Sequence, residues 1–147
     1  MNNFQRTSAW LHACGKQPSA DNVSIQIGCH IEEFVELLDC IQLNFGNDTK
    51  DSVMIALTEI AKSLKVGGIT KATIPYGRRA DALDALCDGE VTGNGIAYLA
   101  EMEKDAADLE VLSSNEAKLV DGKPVILPGG KIGKPEGWKA PNLSIFV

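Results

Sequence analysis

Glu32, Glu33 and Glu36 stand inside one apolar run, His30-Ile31-Glu32-Glu33-Phe34-Val35-Glu36-Leu37-Leu38-Asp39. About fifty residues later, Asp81, Asp84 and Asp88 repeat the arrangement in Asp81-Ala82-Leu83-Asp84-Ala85-Leu86-Cys87-Asp88. Residues three and four apart are neighbours on a helix surface. Glu33 and Glu36 can therefore reach one cation together, as can Glu32 and Glu36. Asp84 and Asp88 offer a second pair, with Asp81 one turn earlier. Carboxylates in an apolar frame are costly unless positive charge meets them. Two such pairs on facing helices supply hard oxygen donors without His or Cys, a set that selects Mg²⁺, or Mn²⁺ as the alternative, over zinc. Any one of these acids alone would read as part of a solvated helix face. The case for a divalent-cation site rests on finding both clusters, each in an apolar setting.

The rest of the chain offers little competing chemistry. Cys14, Cys29, Cys40 and Cys87 form no Cys-x-x-Cys pair, so they read as buried, reduced thiols acting as small hydrophobes. His12 and His30 read as packing residues, and Trp10 as core. No Ser-His-Asp layout, Walker-type Gly-Lys-Ser/Thr or dinucleotide fingerprint occurs. Residues 1–110 carry 9 Lys/Arg against 17 Asp/Glu, and residues 111–147 carry 5 against 3. An acidic body argues against a nucleic-acid polymer as partner. A basic tail beside an acidic cluster suits a metal–phosphate complex.

The elements that must position these residues are helices. At 147 residues with 44% apolar content, the chain is expected to form one all-α domain, a bundle of four to five helices. The patterns predict helices over residues 3–15, 23–44, 51–66, 78–103 and 104–119. Ser24 or Asn22 is a candidate cap for the second. In that helix Ile27, Ile31, Phe34, Leu38 and Ile41 form one seam. Ile25, Cys29, Glu33, Glu36 and Cys40 stack on the opposite side, so it reads as buried on both faces. Gly89, Gly93 and Gly95 weaken the 78–103 pattern. After residue 119 closely spaced turn signals begin, with a short strand expected at 125–127. The expected organisation is a helical domain, 1–119, and an extended tail, 120–147, whose Trp138, Leu143, Ile145, Phe146 and Val147 pack on the body or on a partner subunit. No internal repeat occurs. No apolar run is long enough to span a membrane and the N-terminus lacks a signal-peptide layout, so the expected compartment is the cytoplasm.

With these residues in view, the chain resembles the all-α NTP pyrophosphatase superfamily, which includes MazG-like proteins, phosphoribosyl-ATP pyrophosphohydrolase and the dimeric dUTPases. Glu32-Glu33-Phe34-Val35-Glu36 matches the family's Glu-Glu-x-x-Glu motif. Asp81-Ala82-Leu83-Asp84 resembles its Glu-x-x-Asp motif, with Asp for Glu. Asp84-Ala85-Leu86-Cys87-Asp88 is similar instead to an Asp-x-x-x-Asp stripe of the phage and mobile-element branch. Either pair fits, and Asp84 with Asp88 is the favoured one. Ser114-Asn115-Glu116-Ala117-Lys118, Asp121-Gly122 and Gly130-Lys131-Ile132-Gly133-Lys134 look like that branch's Ser-Asn-x-x-Lys, Asp-Gly and Gly-Lys-x-x-Lys run. The chain departs from the pattern in its wider gap between the acidic motifs, where residues 51–66 add a helix.

The resemblance implies a Mg²⁺-dependent nucleotide pyrophosphohydrolase that cleaves a (d)NTP to (d)NMP and pyrophosphate, for nucleotide-pool house-cleaning. Glu33, Glu36, Asp84 and Asp88 would bind the metal, and Glu32 would orient or deprotonate the attacking water as general base. Asn115, Lys118, Lys131 and Lys134 would face sugar or phosphates. It also implies a homodimer or dimer of dimers, in line with the apolar residues left over by the helices and tail. Two other classes compete: a non-catalytic helical protein that binds nucleotide or metal in the same pocket, and a purely structural oligomer. Turnover separates hydrolysis from non-catalytic binding, and stabilisation by Mg²⁺ plus nucleotide excludes the purely structural oligomer.

Overall fold

At Gly28 two helices approach each other closely. A Cβ built there would lie 2.9 Å from the Ala61 carbonyl oxygen, 2.9 Å from Lys65 Cγ and 3.1 Å from Leu64 Cβ. The computed structural model describes residues 1–41, 47–66, 71–127 and 132–147. They form an all-α fold with five helices: α1 (Asn3–Ala13), α2 (Ala20–Cys40), α3 (Asn47–Lys65), α4 (Arg79–Leu99) and α5 (Lys104–Glu116). A two-stranded hairpin, β1 (Leu119–Val120) with β2 (Lys123–Pro124), follows. The chain divides into two compact units, one of residues 18–76 and one of residues 1–17 with 77–147. No described helix is long and apolar enough to cross a membrane.

The first unit is the α2–α3 hairpin. Ser19, rather than Ser24 or Asn22, caps α2, its side chain accepting the N–H of Asn22. Ser24 is instead buried, and its Oγ accepts the N–H of Ala72 at 2.9 Å. Lys50 reaches from α3 to the carbonyl of Ile41 at the end of α2 (2.9 Å). The buried stripe of α2 runs through Ser24 and Gly28, with Ile31, Val35 and Leu38 half-buried along the same line. This corrects the expected seam. Ile31 and Leu38 belong to it, but Phe34 is 51% exposed and Ile41 is exposed too. Small residues let the α3 backbone approach, and that rotates α2 away from its large side chains. Helix α2 is accordingly not buried on both sides.

In the second unit α1 packs on α5. Asn2 and Gln5 close a capping box at the start of α1. Arg6 clamps Glu116 with two bonds of 2.8 Å. Trp10 is half-buried, short of the core placement expected, and its indole N–H has no partner among the described residues. Asp121 and Gly122 both take positive φ (51° and 73°) between β1 and β2, the tight two-residue turn that an Asp-Gly pair favours. Residue 126 bridges residue 132 instead of extending a strand over 125–127. Beyond it the chain runs along α5. Asn142 donates to Glu110 (3.2 Å), Glu103 donates to the Phe146 carbonyl (2.9 Å) and Ser114 Oγ donates to the Lys139 carbonyl (3.2 Å). Helix α4 stays continuous through its three glycines. Ala97 is its buried residue, while Leu83, Leu86 and Val91 are exposed.

Two smaller expectations fail for the same reason, distance from the packed stripes. Of the cysteines only Cys14 is buried; Cys29 is intermediate, and Cys40 and Cys87 are exposed. His12 and His30 are exposed rather than packed, His12 Nδ1 pairing with the Gln17 side chain at 2.9 Å.

Replacing Gly28 by Val should lower unfolding free energy by about 3 kcal/mol, the upper end of overpacking costs. Ser24→Ala should cost about 1–2 kcal/mol by leaving the Ala72 N–H without its acceptor. Denaturant titrations measure both.

Candidate functional site

The acidic motif lies in the C-terminal half of α2, one turn beyond the contact of Gly28 with Ala61 of α3. Glu32, Glu33 and Glu36 are all exposed, so the expectation that Glu33 and Glu36 point into packed protein fails. The cause is the rotation of α2 described above. Their electrostatics are nonetheless uneven. Lys65, at the end of α3, forms an ion pair with Glu32 through its Nζ and the Glu32 Oε2. That bond is the main reason the Lys65 ammonium is held above the usual lysine range. The Glu33 carboxyl is held above the ordinary carboxylate range. Partial burial is the largest cause, the charges of Glu36 and Glu32 come next, and Lys65 and His30 oppose them. Lys65, the cation in contact with this cluster, is thus spent on Glu32.

The second acidic stretch lies on α4, in the other unit. Asp81 sits in the first turn of α4 and accepts from Arg78 Nε at 2.7 Å. Asp84 and Asp88 follow along the helix with exposed side chains. The carboxylate oxygens fit the hard-donor chemistry of Mg²⁺ or Mn²⁺. Among the described residues, no three His, Cys, Asp or Glu side chains are gathered closely enough to hold a metal ion.

The four residues expected to face substrate fare differently. Lys131 lies outside the described residues. Lys118 and Lys134 converge on Trp138, and Asn115 joins them through Lys118. Lys118 Nζ donates to Asn115 Oδ1 at 2.8 Å. The Nζ atoms of Lys118 and Lys134 lie 5.5 and 4.4 Å from the centre of the Trp138 ring. Trp138 is fixed in turn by its indole N–H, which donates to the Ser114 carbonyl at 2.9 Å. Burial, and then the charge of Lys134, hold the Lys118 ammonium below the usual lysine range.

Two participants escaped the reading of the sequence. Trp138 was expected only to pack, although its spacing of four from Lys134 was a signal. Lys65 sits in the last turn of α3, where a cation suits the helix dipole; the glycine at 28, which brings α3 within reach of Glu32, was the available clue to its pairing. Compared with known proteins, the chain matches no family model, no curated protein and no solved structure.

A carboxyl whose pKa is raised by folding carries a proton longer in the native state. The penalty from its charge is absent below the unfolded-state pKa and complete once pH has risen past the folded-state pKa. Glu33→Gln should therefore raise the melting temperature at neutral pH without metal, with no gain at pH values where Glu33 is protonated in both states. Thermal melts of both proteins across the acidic-to-neutral range measure this.

Proposed function

We propose that the protein is a Mg²⁺-dependent nucleoside triphosphate pyrophosphohydrolase of the all-α NTP pyrophosphatase type. The observation that carries the reading is the electrostatic state of α2: Glu33 is pressed by Glu36 and Glu32, and the nearby lysine is bound to Glu32. Such a pair gains most from a cation. Glu33, Glu36, Asp84 and Asp88 are the residues that hold it. When bound, a divalent cation neutralises phosphate charge and lowers the pKa of an attacking water. Asp84 and Asp88 are preferred to Asp81 because Arg78 already engages Asp81. Glu32 takes the proton from the water that attacks the α-phosphorus. Asn115, Lys118, Lys131 and Lys134 face sugar and phosphates, the lysines offsetting charge on the departing pyrophosphate. Exposed Leu83, Leu86 and Val91 on α4 support a homodimer or dimer of dimers. The proposed setting is the cytoplasm.

One observation favours a second reading, in which the protein binds nucleotide or metal without turnover: the proposed base, Glu32, is already paired with Lys65. A screen of all dNTPs and NTPs decides between them. The hydrolytic reading expects pyrophosphate and nucleoside monophosphate, no orthophosphate, and dependence on Mg²⁺. Glu36→Gln should lower the rate by at least about 100-fold, since loss of even an outer-shell partner of a metal costs 10–100-fold. Wild-type turnover in that variant would sink the metal assignment, and tight binding without product would establish the second reading.

A further inference from the structure

Helix α3 is the element that widens the gap between the two acidic stretches, and it ends on a residue that answers the first of them. Lys65 lies in the last turn of α3. Its stem packs against Gly28, with Cγ 2.9 Å from where a Cβ on that glycine would stand. Its ammonium reaches one turn further along α2 and pairs with Glu32 Oε2. The charge of Glu33 acts on the same ammonium. The lysine therefore stands beside two carboxylates while bonded to one. Gly28 does more than admit a helix: it sets a tethered cation at the acidic motif.

Two consequences follow from that placement. A divalent cation held by Glu33 and Glu36 would meet the Lys65 charge as a repulsion, so Lys65 weakens its binding. Coupling between two sites is reciprocal, so the Glu32–Lys65 pair is weakened to the same degree when Glu33 and Glu36 are occupied. The ammonium is then repelled and the Glu32 carboxylate attracted, which draws the two apart. The pair can yield. Its side chains are 33% and 48% exposed, and ion pairs that open to water are weak. Lysine suits such an exchange, being a compact charge on a flexible stem.

We infer that Lys65 is a positioning residue of the acidic site: it holds Glu32 out of use while Glu33 and Glu36 are without a divalent cation, and releases it when they bind one. This deepens the reading above and rests on it for the nature of the cation and for Glu32 as base. It also reconciles a Glu32 that takes a proton with a Glu32 that already has a partner.

Calorimetric titration of the full chain with MnCl₂, without nucleotide, tests the inference. Lys65→Met keeps the stem beside Gly28 and removes the charge. It should bind Mn²⁺ about fivefold more tightly, since a dication feels about twice what a single charge feels at an exposed site. Lys65→Arg keeps the charge and should bind as the wild type does. Glu32→Gln frees the ammonium beside Glu33 and should bind about fivefold more weakly; it leaves the Gly28 contact alone, so it reports even if Lys65→Met fails to fold. Release itself is read from melting temperatures of the two single variants and of Glu32→Gln/Lys65→Met. The coupling between the residues should be present in EDTA and shrink at saturating Mn²⁺. A lysine that served packing alone would move the melting temperatures without producing this order of affinities. Equal Mn²⁺ affinity in the wild type and Lys65→Met overturns the inference and leaves the metal site standing. No Mn²⁺ binding by any of these proteins overturns both. The expected order of affinities in a protein that hydrolyses no nucleotide sustains the inference and removes the hydrolytic reading.

Discussion

The contact on which the candidate acidic site depends is the close approach of α3 to Gly28. No side chain larger than hydrogen fits there without moving the Ala61 carbonyl or the Lys65 stem. The approach orients α2 about its axis and so decides which of its residues meet α3. It also brings Lys65 one turn along to Glu32. Without it, the three glutamates would have no cation facing them from α3. With it, one carboxylate is satisfied and the neighbouring pair is left under mutual repulsion. Backbone packing thus sets up an electrostatic difference among acids that are adjacent in sequence.

Much of the helical layout was legible because it rests on local chemistry. All five helices appear close to their expected places, and the Asp121-Gly122 turn takes the backbone its residue types favour. The large apolar side chains misled. Phe34 and Ile41 suggested a seam, yet Ser24 and Gly28 form the contact, since hydrophobic periodicity cannot register a close backbone approach. Cys40, Cys87 and both histidines likewise fell outside the packed stripes, and residue type alone does not locate those stripes. Of the expected substrate residues, Lys118 and Lys134 converge on Trp138 and Asn115 holds Lys118. The spacing of four between Lys134 and Trp138 was one hint, but nothing foretold that Lys118 meets the same indole, because that contact joins segments twenty residues apart and depends on the path of the tail.

That path links the two ends of α5. Glu103 before the helix meets Phe146, Glu110 meets Asn142, and Ser114 meets both Trp138 and Lys139. These positions recur every three to four residues or multiples of that spacing, so one stripe of α5 is given over to the tail. Arg6 of α1 meets Ser113 and Glu116 on a neighbouring stripe. Helix α5 is therefore held from two sides by segments remote from it in sequence, and the Trp138 cluster sits where one of those supports ends.

Helix α4 is the counterexample. It carries Gly89, Gly93 and Gly95, each worth about 1 kcal/mol less than Ala in a helix, and Ala97 is its buried residue. Local opening free energies are lowest where buried apolar contacts are few. The stripe of Asp84 and Asp88 is thus borne by a helix that has one buried residue, Ala97, and local opening there is expected to be easy. Whatever covers α4 also governs how much of the time those carboxylates stay in register.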